Sequence, residues 1–549
     1  MMTSIKWLLL LGTAAAAACT SDSAAGPPAP PCNAALATDL ALAVGAYTAI
    51  DPAADSGCVS FPANASSDSA EYVVIAQSAG GVPGDTALFA LRSASLVAGA
   101  APVTARRAGL LGRRGSIAAR FDGMLHERER SRHAIARTSA VRPSAAGTGV
   151  AAVTPPTLGS LRTFTVCASL DCTTYKPVTA RAQSVGAHVA IYVDTAAPAN
   201  GLTATDIDTL QQVFDTHVYV VDTTAFGSVS DIDSNGVVIT LMTPVVNSLV
   251  TNAECQAGGF VAGFADPADL DPSTAVQHNQ GEIFYTVVAD PNGALSCAHS
   301  VADVLSFLPG TFLHELQHLI SFNQHVLIRG GNQEDLWLDE ALSSFAEELG
   351  GRSFLPDSTT FETYVATDLA DAYDYLADPG DHFLLQTSDT VLADFGAGWL
   401  YVRYLVDQFG DSLTGRLEQT ALTGADNVAA QTGLSFETTT TRWALANWVS
   451  DLPGFAPPAG VFYRSWSFRQ VFASLYAQDP FDFPLPFPLV PPAGAGTQVN
   501  LGGMLHAGSG FYVDILQAPG AGRFALRLGG VIGLAATTVD PRLDVIRIR

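Results

Sequence analysis

The chain has 549 residues and a formal net charge of −25, and 48% of its residues are hydrophobic while 14% are charged. This length exceeds what one hydrophobic core usually covers, and the apolar content predicts folded domains and excludes extended disorder. The acidic balance, without a recognised nucleic-acid-binding fold, excludes nucleic acid as an expected partner.

Residues 1–18 have the features of an export signal. Lys6 precedes an apolar run from Trp7 to Ala18 that is too short to span a bilayer in a mature protein. Cys19 follows three alanines and resembles the acylated cysteine of bacterial lipoproteins, and residues 19–31 have the composition of a flexible tether. We therefore expect export, with the protein either secreted or attached to the cell envelope by a lipid anchor only.

Small all-β modules are predicted at 32–98 and 491–549, where short β-type runs alternate with Gly, Pro, Asn and Ser. The two stretches share a pattern, Tyr-Val-x-Ile-x-Gln followed by Phe-Ala-Leu-Arg, at 72–92 and again at 512–527. The pattern indicates two related modules that flank the central region, although apolar strands can also match by accident.

Residues 99–150 are predicted to be a basic helical linker or a pro-segment. The stretch from Arg106 to Arg142 has ten arginines and three acids, whereas the whole chain has 27 basic and 52 acidic residues. One interpretation is an inhibitory pro-segment over 33–145 that docks on the acidic remainder and is cleaved at a pair of arginines. The other is an exposed amphipathic helix in a mobile linker.

Residues 151–490 are predicted to form the central domain. Its first part contains β runs at 187–193 and 237–241 and a helix near 205–217, and residues 301–450 are mostly helical. Asp231, Asp233 and Asn235 resemble the start of a calcium loop because alternate oxygens in a tight turn can surround a hard cation. Met242 stands where an EF-hand has Glu, so the alternatives are a different calcium site or a polar turn.

Residues 314–318 read His-Glu-Leu-Gln-His, within an apolar pattern that predicts a helix. On a helix, His314 and His318 project from one face and can bind the same cation, with Glu315 beside it. The alternative is a surface helix with two solvated histidines. A catalytic zinc site uses three protein ligands, so another ligand must come from elsewhere in the chain.

Glu340 is the best candidate for the third ligand because it lies in a second helical pattern with apolar residues at core spacing. Asp339 is a weaker candidate. Gly350 and Gly351 are predicted to end this helix.

These residue types predict metal-assisted amide hydrolysis with Zn²⁺ as the cofactor. Zinc lowers the pKa of a bound water to about 7, and Glu315 could transfer the proton to a leaving amine. An oxyanion would need a further donor, and four side chains remain open as candidates or as packing residues. They are Tyr364, Tyr373, Tyr375 and His382.

The chain resembles the glutamate-zincin metallopeptidases, and most closely the hyicolysin-type bacterial peptidases. The likeness covers roughly residues 160–450 and rests on QGEIFY at 280–285, HELQHLISF at 314–322 and WLDEALSSFAEE at 337–348. It implies that His314, His318 and Glu340 bind zinc and that Glu315 is the catalytic base. It also implies a zincin-like domain, in which a β lobe and a helical lobe enclose the cleft.

The sequence departs from related families at three points. Ser344 stands where thermolysin-like relatives carry an acid that orients a histidine, so the surroundings of the ligands must differ. The Gly-x-Met-Glu-Asn signature of related aminopeptidases is absent, which favours an endopeptidase. Gln324 stands where the metzincin pattern requires histidine, and His325 is one residue too late.

The cysteines predict disulfide bonds. Setting aside Cys19 leaves six, an even number in an exported chain. Closeness in sequence favours the pairs Cys32–Cys58, Cys167–Cys172 and Cys255–Cys297, although some of these residues could be buried thiols. No Cys-x-x-Cys pair occurs, so a cysteine-bound zinc is not expected.

Together these features predict an α+β protein with a zincin-like catalytic domain flanked by small all-β modules. We expect a monomeric, exported zinc endopeptidase that acts on proteins or peptides. The alternative is a non-catalytic cell-surface binding lipoprotein that retains a zincin fold.

Overall fold

The computed structural model describes residues 32, 38–52, 57–94, 124, 154–271, 278–387, 391–530 and 538–549. Over these residues the fold is α+β, as predicted, with three β-sheets and a long helical region. The predicted signal peptide at 1–18, Cys19, the predicted tether at 19–31 and, apart from Met124, the basic segment at 99–150 lie outside the described residues. In the described ranges, none of the helices is both long and apolar enough to cross a membrane.

The strands follow in chain order. They are β1 (Thr38–Asp39), β2 (Tyr47–Ile50), β3 (Cys58–Phe61), β4 (Ala70–Ser78), β5 (Thr86–Ala94), β6 (Leu161–Cys167), β7 (Tyr175–Val185), β8 (Val189–Asp194), β9 (Val238–Met242), β10 (Gly263–Ala265), β11 (Ile283–Thr286), β12 (Ala493–Gly494), β13 (Asn500–His506), β14 (Gly510–Gln517), β15 (Phe524–Gly529) and β16 (Pro541–Arg547).

The α-helices are numbered in the same way. They are α1 (Ala204–Val213), α2 (Tyr219–Ala225), α3 (Pro244–Asn247), α4 (Asn252–Gly258), α5 (Val301–Phe322), α6 (Leu336–Arg352), α7 (Ser358–Ala377), α8 (Leu392–Phe409), α9 (Ser412–Glu418), α10 (Gly424–Thr432), α11 (Phe436–Val449) and α12 (Phe468–Gln478). Turns of π-helix follow α1 at Phe214–Val218 and α5 at Asn323–Ile328.

Strands from both ends of the chain form one β-sandwich. One sheet has the order β1-β3-β15-β5-β13 and the other β12-β14-β4-β16-β2, so both sheets mix N-terminal and C-terminal strands. The sheets share a buried core, in which the rings of Phe61 and Tyr72 lie 5.0 Å apart. One module built from both segments thus replaces the two separate flanking modules predicted from the sequence.

The repeated sequence pattern explains how the two segments combine. In the antiparallel pair β4–β14, Tyr72 lies opposite Ile515 and Ile75 lies opposite Tyr512. The tyrosine of each copy of the pattern therefore pairs with the isoleucine of the other copy, as expected for two strands related by a local two-fold axis. The strands that carry the second half of the pattern, β5 and β15, are also antiparallel neighbours.

Strand β4 is apolar from Tyr72 to Ala76 because both of its faces are buried there. Tyr72 and Val74 belong to the core of the sandwich, whereas Val73 and Ile75 belong to the large core of the helical region. On that outer face the hydroxyl of Tyr512 donates to the carbonyl of Ala444 on α11, over 2.8 Å. Alternate side chains of β4 thus pack in two different cores.

The shared sandwich bears on the pro-segment interpretation. β4 lies between β14 and β16, and β5 lies between β15 and β13. Removing residues 33–145 would take these two central strands out of the sandwich and expose its core to water. The fold therefore favours a sandwich that keeps its N-terminal strands.

A six-stranded sheet with the order β10-β11-β9-β8-β7-β6 positions the long helix α5. Strands β8, β9 and β11 run parallel, and β10 is an antiparallel strand at one edge. Phe312 of α5 packs on Phe284 of β11, with ring centroids 5.4 Å apart. The motif at 314–318 is thereby held beside the edge strand.

Helix α6 continues through Gly350 and Gly351 to Arg352, so the prediction that these glycines end the helix is wrong. They have a packing role instead. A Cβ atom on Gly350 would overlap Leu313 of α5, and one on Gly351 would press on Phe361. The glycines therefore allow the neighbouring helices to come close to α6.

The three predicted cysteine pairs lie at disulfide distance. Their Cα atoms are 5.7 Å apart in Cys32–Cys58, 5.1 Å in Cys167–Cys172 and 6.0 Å in Cys255–Cys297. The last pair connects α4 to the loop that leads into α5.

We predict that Phe61 in β3 and Phe524 in β15 are energetically coupled, because their rings stack with centroids 4.4 Å apart. In a double-mutant cycle with Phe→Leu substitutions, denaturant unfolding should give a coupling energy of about 0.5–1.5 kcal/mol. The control cycle pairs Phe61 with Phe164 of β6, which lies in another core, and should be additive. Additivity in both cycles would contradict a shared sandwich core.

The buried Asp544 of β16 predicts a pH-dependent stability. Burial raises the pKa of Asp544 to about 8, against the opposing hydrogen bond from Thr441. The unfolded state therefore ionises first, and the free energy of unfolding should fall as the pH rises from about 4 to about 8. Asp544→Asn removes this effect and should be more stable than wild type at pH 8 by about 1 kcal/mol or more.

Denaturant melts at pH 4, 6 and 8 measure this difference, with the exposed Asp68→Asn as the control. A difference between Asp544→Asn and wild type that does not change with pH would show that Asp544 is ionised in the folded state throughout.

Candidate metal centre

Helices α5 and α6 bring His314, His318 and Glu340 together. The Nε2 atom of His314 lies 3.4 Å from Glu340 Oε2, and that of His318 lies 3.9 Å from Glu340 Oε1. One potential ligand atom from each residue lies within 4.8 Å of the other two. Because the histidines are one helical turn apart, their imidazoles sit side by side with ring centroids 4.9 Å apart.

A second carboxylate binds the other nitrogen of each imidazole. His314 Nδ1 is 2.9 Å from Glu347 Oε1, and His318 Nδ1 is 3.0 Å from Asp339 Oδ2. These contacts orient the rings so that both Nε2 atoms face Glu340. Asp339, the weaker ligand candidate, thus contacts a histidine rather than the space between the two histidines, and this favours Glu340 as the third ligand.

The rotation of α6 is fixed by a buried carboxylate on a neighbouring face of this helix. Glu348 accepts hydrogen bonds from the indole N–H groups of Trp399 and Trp466, over 3.1 and 2.9 Å, and from Arg403 over 3.1 Å. Because Glu348 is fully buried, losing these partners would be costly. This anchor holds Glu340 and the adjacent Glu347 towards α5.

Glu315 lies on α5 between the two histidines and is buried, with 5% of its surface exposed. Burial raises the pKa of Glu315 above its usual range, while the charges of His314 and His318 and the backbone N–H of Ala265 oppose that shift. Ala265 belongs to the edge strand β10. The carboxyl group therefore lies where α5, the candidate ligands and the edge strand meet.

The pKa values of His314 and His318 are set largely by the acids around them. Burial lowers the pKa of His318, but Asp339 and Glu340 outweigh it and raise the value to about 9. In the same way, hydrogen bonds to Glu340 and Glu347 raise the pKa of His314 well above its ordinary value despite burial. The site thus stabilises positive charge strongly.

These residues fit a zinc ion. Two imidazole nitrogens and a carboxylate oxygen are ligands that zinc accepts, and a histidine ligand usually has its other nitrogen bound to a carboxylate or carbonyl. His314 and His318 meet that condition through Glu347 and Asp339. Four carboxylates surround the two imidazoles, so a divalent cation would also relieve an excess of buried negative charge.

Cys255, Cys297 and His299 form another close group in the described residues. The two cysteines are joined to each other, so their sulfur atoms are not thiolate ligands.

The oxyanion candidates Tyr373 and Tyr375 lie on α7, and their hydroxyl groups have hydrogen-bond partners outside this helix. The hydroxyl of Tyr373 donates to the carbonyl of Leu485 and accepts from its N–H group, and that of Tyr375 is 3.2 Å from Ser509 Oγ. Both hydroxyl groups therefore help to hold α7 to the rest of the fold, which makes them weaker candidates for the oxyanion donor.

The other two candidates also have defined neighbours. The ring of Tyr364 packs edge-on against His217, with centroids 6.0 Å apart, and His382 Nδ1 lies 3.6 Å from Asp394 Oδ1. No hydroxyl contact singles out Tyr364 as a donor among the described residues, and the assignment of the oxyanion donor stays a prediction for both.

Asp339 and Glu347 are the site residues whose roles the sequence reasoning missed. Glu347 lies seven residues after Glu340, which places both on one face of α6, so helical spacing could have identified it. Asp339 precedes the ligand directly, and only the packing of α6 on α5 shows which imidazole it reaches. Glu347 and Asp339 are the acids that contact the two histidines in this structure.

Comparison with models of known protein families found none that matches this chain, and comparison with curated proteins found no matching sequence. Function must therefore be inferred from the site itself.

We predict that Glu347→Gln and Asp339→Asn each weaken zinc binding by about 10–100-fold, because each removes the carboxylate that orients one imidazole. Competition with a chromophoric zinc chelator measures the affinity. The control is Glu362→Gln, which changes an exposed carboxylate on α7 and should bind zinc like wild type. Wild-type affinity in both site variants would show that these carboxylates do not support the ligands.

Proposed function

We propose that this protein is a zinc-dependent endopeptidase of the glutamate-zincin type. The observation that carries the proposal is the position of Glu315, a buried carboxyl group between His314 and His318 and next to an edge strand. The nearby Glu340 completes a set of three ligands suited to zinc.

Zn²⁺ bound by His314, His318 and Glu340 would supply a Lewis acid and lower the pKa of a water molecule to about 7. Glu315 can accept a proton from the attacking water and deliver it to the nitrogen of the leaving amine. Its raised pKa suits this task, because such a group must both take and release a proton near neutral pH. Asp339 and Glu347 hold the two imidazoles in orientation throughout.

The edge strand supports a peptide as the substrate. β10 pairs with β11 on one side and ends the six-stranded sheet. Extended peptides commonly add to such an edge through main-chain hydrogen bonds. A peptide that pairs with β10 would lie along Ala265 and so next to Glu315.

Other parts of the molecule are compatible with this proposal. Helix α5 contacts β11 of the six-stranded sheet through Phe312 and contacts α6 through His314, which is compatible with a β lobe and a helical lobe around the site. The aminopeptidase signature is absent from the sequence, so we propose internal cleavage of proteins or peptides. The disulfide pairs suit an exported protein, and we propose that Cys19 carries a lipid anchor or that the protein is secreted.

The proposal predicts that Glu315→Gln retains about one zinc per chain but loses peptide hydrolysis by at least about 100-fold, because the general base is gone. Zinc is measured by elemental analysis and activity with casein and a quenched peptide library. Glu362→Gln is the matched control for charge and should keep full activity.

A wild-type protein that binds one zinc and cleaves neither casein nor the library would contradict the proposal. That result would favour the non-catalytic surface protein. Equal activity in Glu315→Gln and wild type would instead exclude Glu315 as the base.

A further inference from the structure

A second cluster of carboxylates lies at the start of the parallel strands β9 and β11. Asp231 and Asp233 belong to the loop that leads into β9, and Glu282 directly precedes β11. One carboxylate oxygen from each residue lies within 4.8 Å of those from the other two. The parallel pairing of β9 with β11 brings these distant parts of the sequence together.

The spacing suits a calcium ion. Calcium–oxygen distances are about 2.3–2.6 Å, so two oxygens on one ion are at most about 5 Å apart. The three carboxylates satisfy this limit. Arg162 Nη1 lies 3.8 Å from Asp233 Oδ2, and one guanidinium leaves the three acids with an excess of negative charge.

Glu282 supplies an independent indication of a bound cation. It is 1% exposed, and its Oε1 atom accepts hydrogen bonds from Ser230 Oγ over 2.6 Å and from Ile232 N–H over 2.9 Å. Its Oε2 atom is also buried but has no hydrogen-bond partner among the residues that the structure describes. A carboxylate that is held rigidly by one oxygen and left without a partner at the other is costly unless a cation binds it.

The pKa of Glu282 agrees with this reasoning. Burial raises it above its ordinary value, although Ser230 and Ile232 oppose the shift. The carboxylate form of Glu282 is thus less stable in the folded protein than it would be in water.

Asn235, which the sequence suggested as a calcium ligand, has another role. Its side-chain amide donates to Asp233 Oδ2 over 2.8 Å, and its carbonyl oxygen accepts from the N–H of Val237 over 2.7 Å. Ser234 and Gly236 have positive φ angles of 58° and 75°, so the loop turns sharply here. Asn235 thus stabilises the turn of the loop, and Glu282 is the third candidate ligand beside Asp231 and Asp233.

We propose that Asp231, Asp233 and Glu282 bind a structural calcium ion. The ion would join the loop before β9 to the start of β11, and β11 in turn carries the edge strand β10. Calcium would thereby stabilise the strand next to the candidate metal centre. This site does not depend on the proposed peptidase activity, and it would be present in a non-catalytic protein as well.

The test uses the full chain, and elemental analysis monitors its zinc content. After dialysis into calcium-free buffer, titration with CaCl₂ to 10 mM should raise the Tm of this 549-residue chain by about 1–2 °C for a dissociation constant of about 0.1–1 mM. Calorimetric titration should give one calcium per chain. MgCl₂ should have a smaller effect, because Mg²⁺ demands shorter bonds and a stricter geometry.

Glu282→Gln and Asp231→Asn should each abolish the calcium-dependent shift while keeping the zinc content of wild type. In calcium-free buffer the Tm of Glu282→Gln should equal or exceed that of wild type, because the buried carboxylate has been removed. Asp231 is exposed, so Asp231→Asn serves if Glu282→Gln does not fold. Glu362→Gln should respond to calcium like wild type.

No calcium-dependent change in the Tm of wild type would overturn the proposal and leave Arg162 as the partner that balances the cluster. A shift that persists in Asp231→Asn and Glu282→Gln would also overturn it, since calcium would then bind elsewhere. Loss of peptidase activity alone, with the calcium response intact, bears only on the proposed function.

Discussion

The close packing of α6 on α5 is the constraint on which the candidate metal centre depends. The contact places Gly350 against Leu313, where a Cβ atom at position 350 would overlap the leucine side chain and force it to move. At this separation Glu340 reaches the space between the imidazoles, and Glu347 and Asp339 reach their outer nitrogens. The buried Glu348 fixes the rotation of α6, so packing and hydrogen bonding together set the geometry of the site.

Buried negative charge connects the two cation sites that we infer. At each of them several carboxylates converge and at least one of them is buried, an arrangement that costs free energy unless positive charge is supplied. At the first site the ligands include two histidines, which suits zinc. At the second they are all oxygens, which suits calcium. The −25 net charge of the chain makes additional cationic side chains scarce at both sites.

Local sequence predicted much of the site and less of the fold. His314 and His318 could be placed together because four residues on one helix span a single turn, and the disulfide pairs could be proposed from closeness in sequence. The sandwich could not be predicted in this way, because β4 pairs with β14 across more than 400 residues. The repeated pattern in these strands was visible in the sequence, but it indicated relatedness and not mutual pairing.

The same limit applies to individual side chains. The position of Glu347 beside Glu340 could have been predicted from helical spacing. Glu282, in contrast, lies near Asp231 and Asp233 only because β11 pairs with β9. Asn235 matched a calcium-loop pattern, yet its side chain is used to shape the turn. Sequence patterns identify the type of ligand, and the tertiary fold decides which side chains converge.

X-ray absorption at the zinc edge, on protein loaded with one equivalent of zinc, tests the central claim most directly. Binding by His314, His318 and Glu340 predicts nitrogen and oxygen ligands at about 2.0–2.2 Å with the scattering pattern of two imidazoles. His314→Ala should reduce that pattern. A sulfur shell at about 2.3 Å, or a wild-type protein that retains no zinc, would contradict the account.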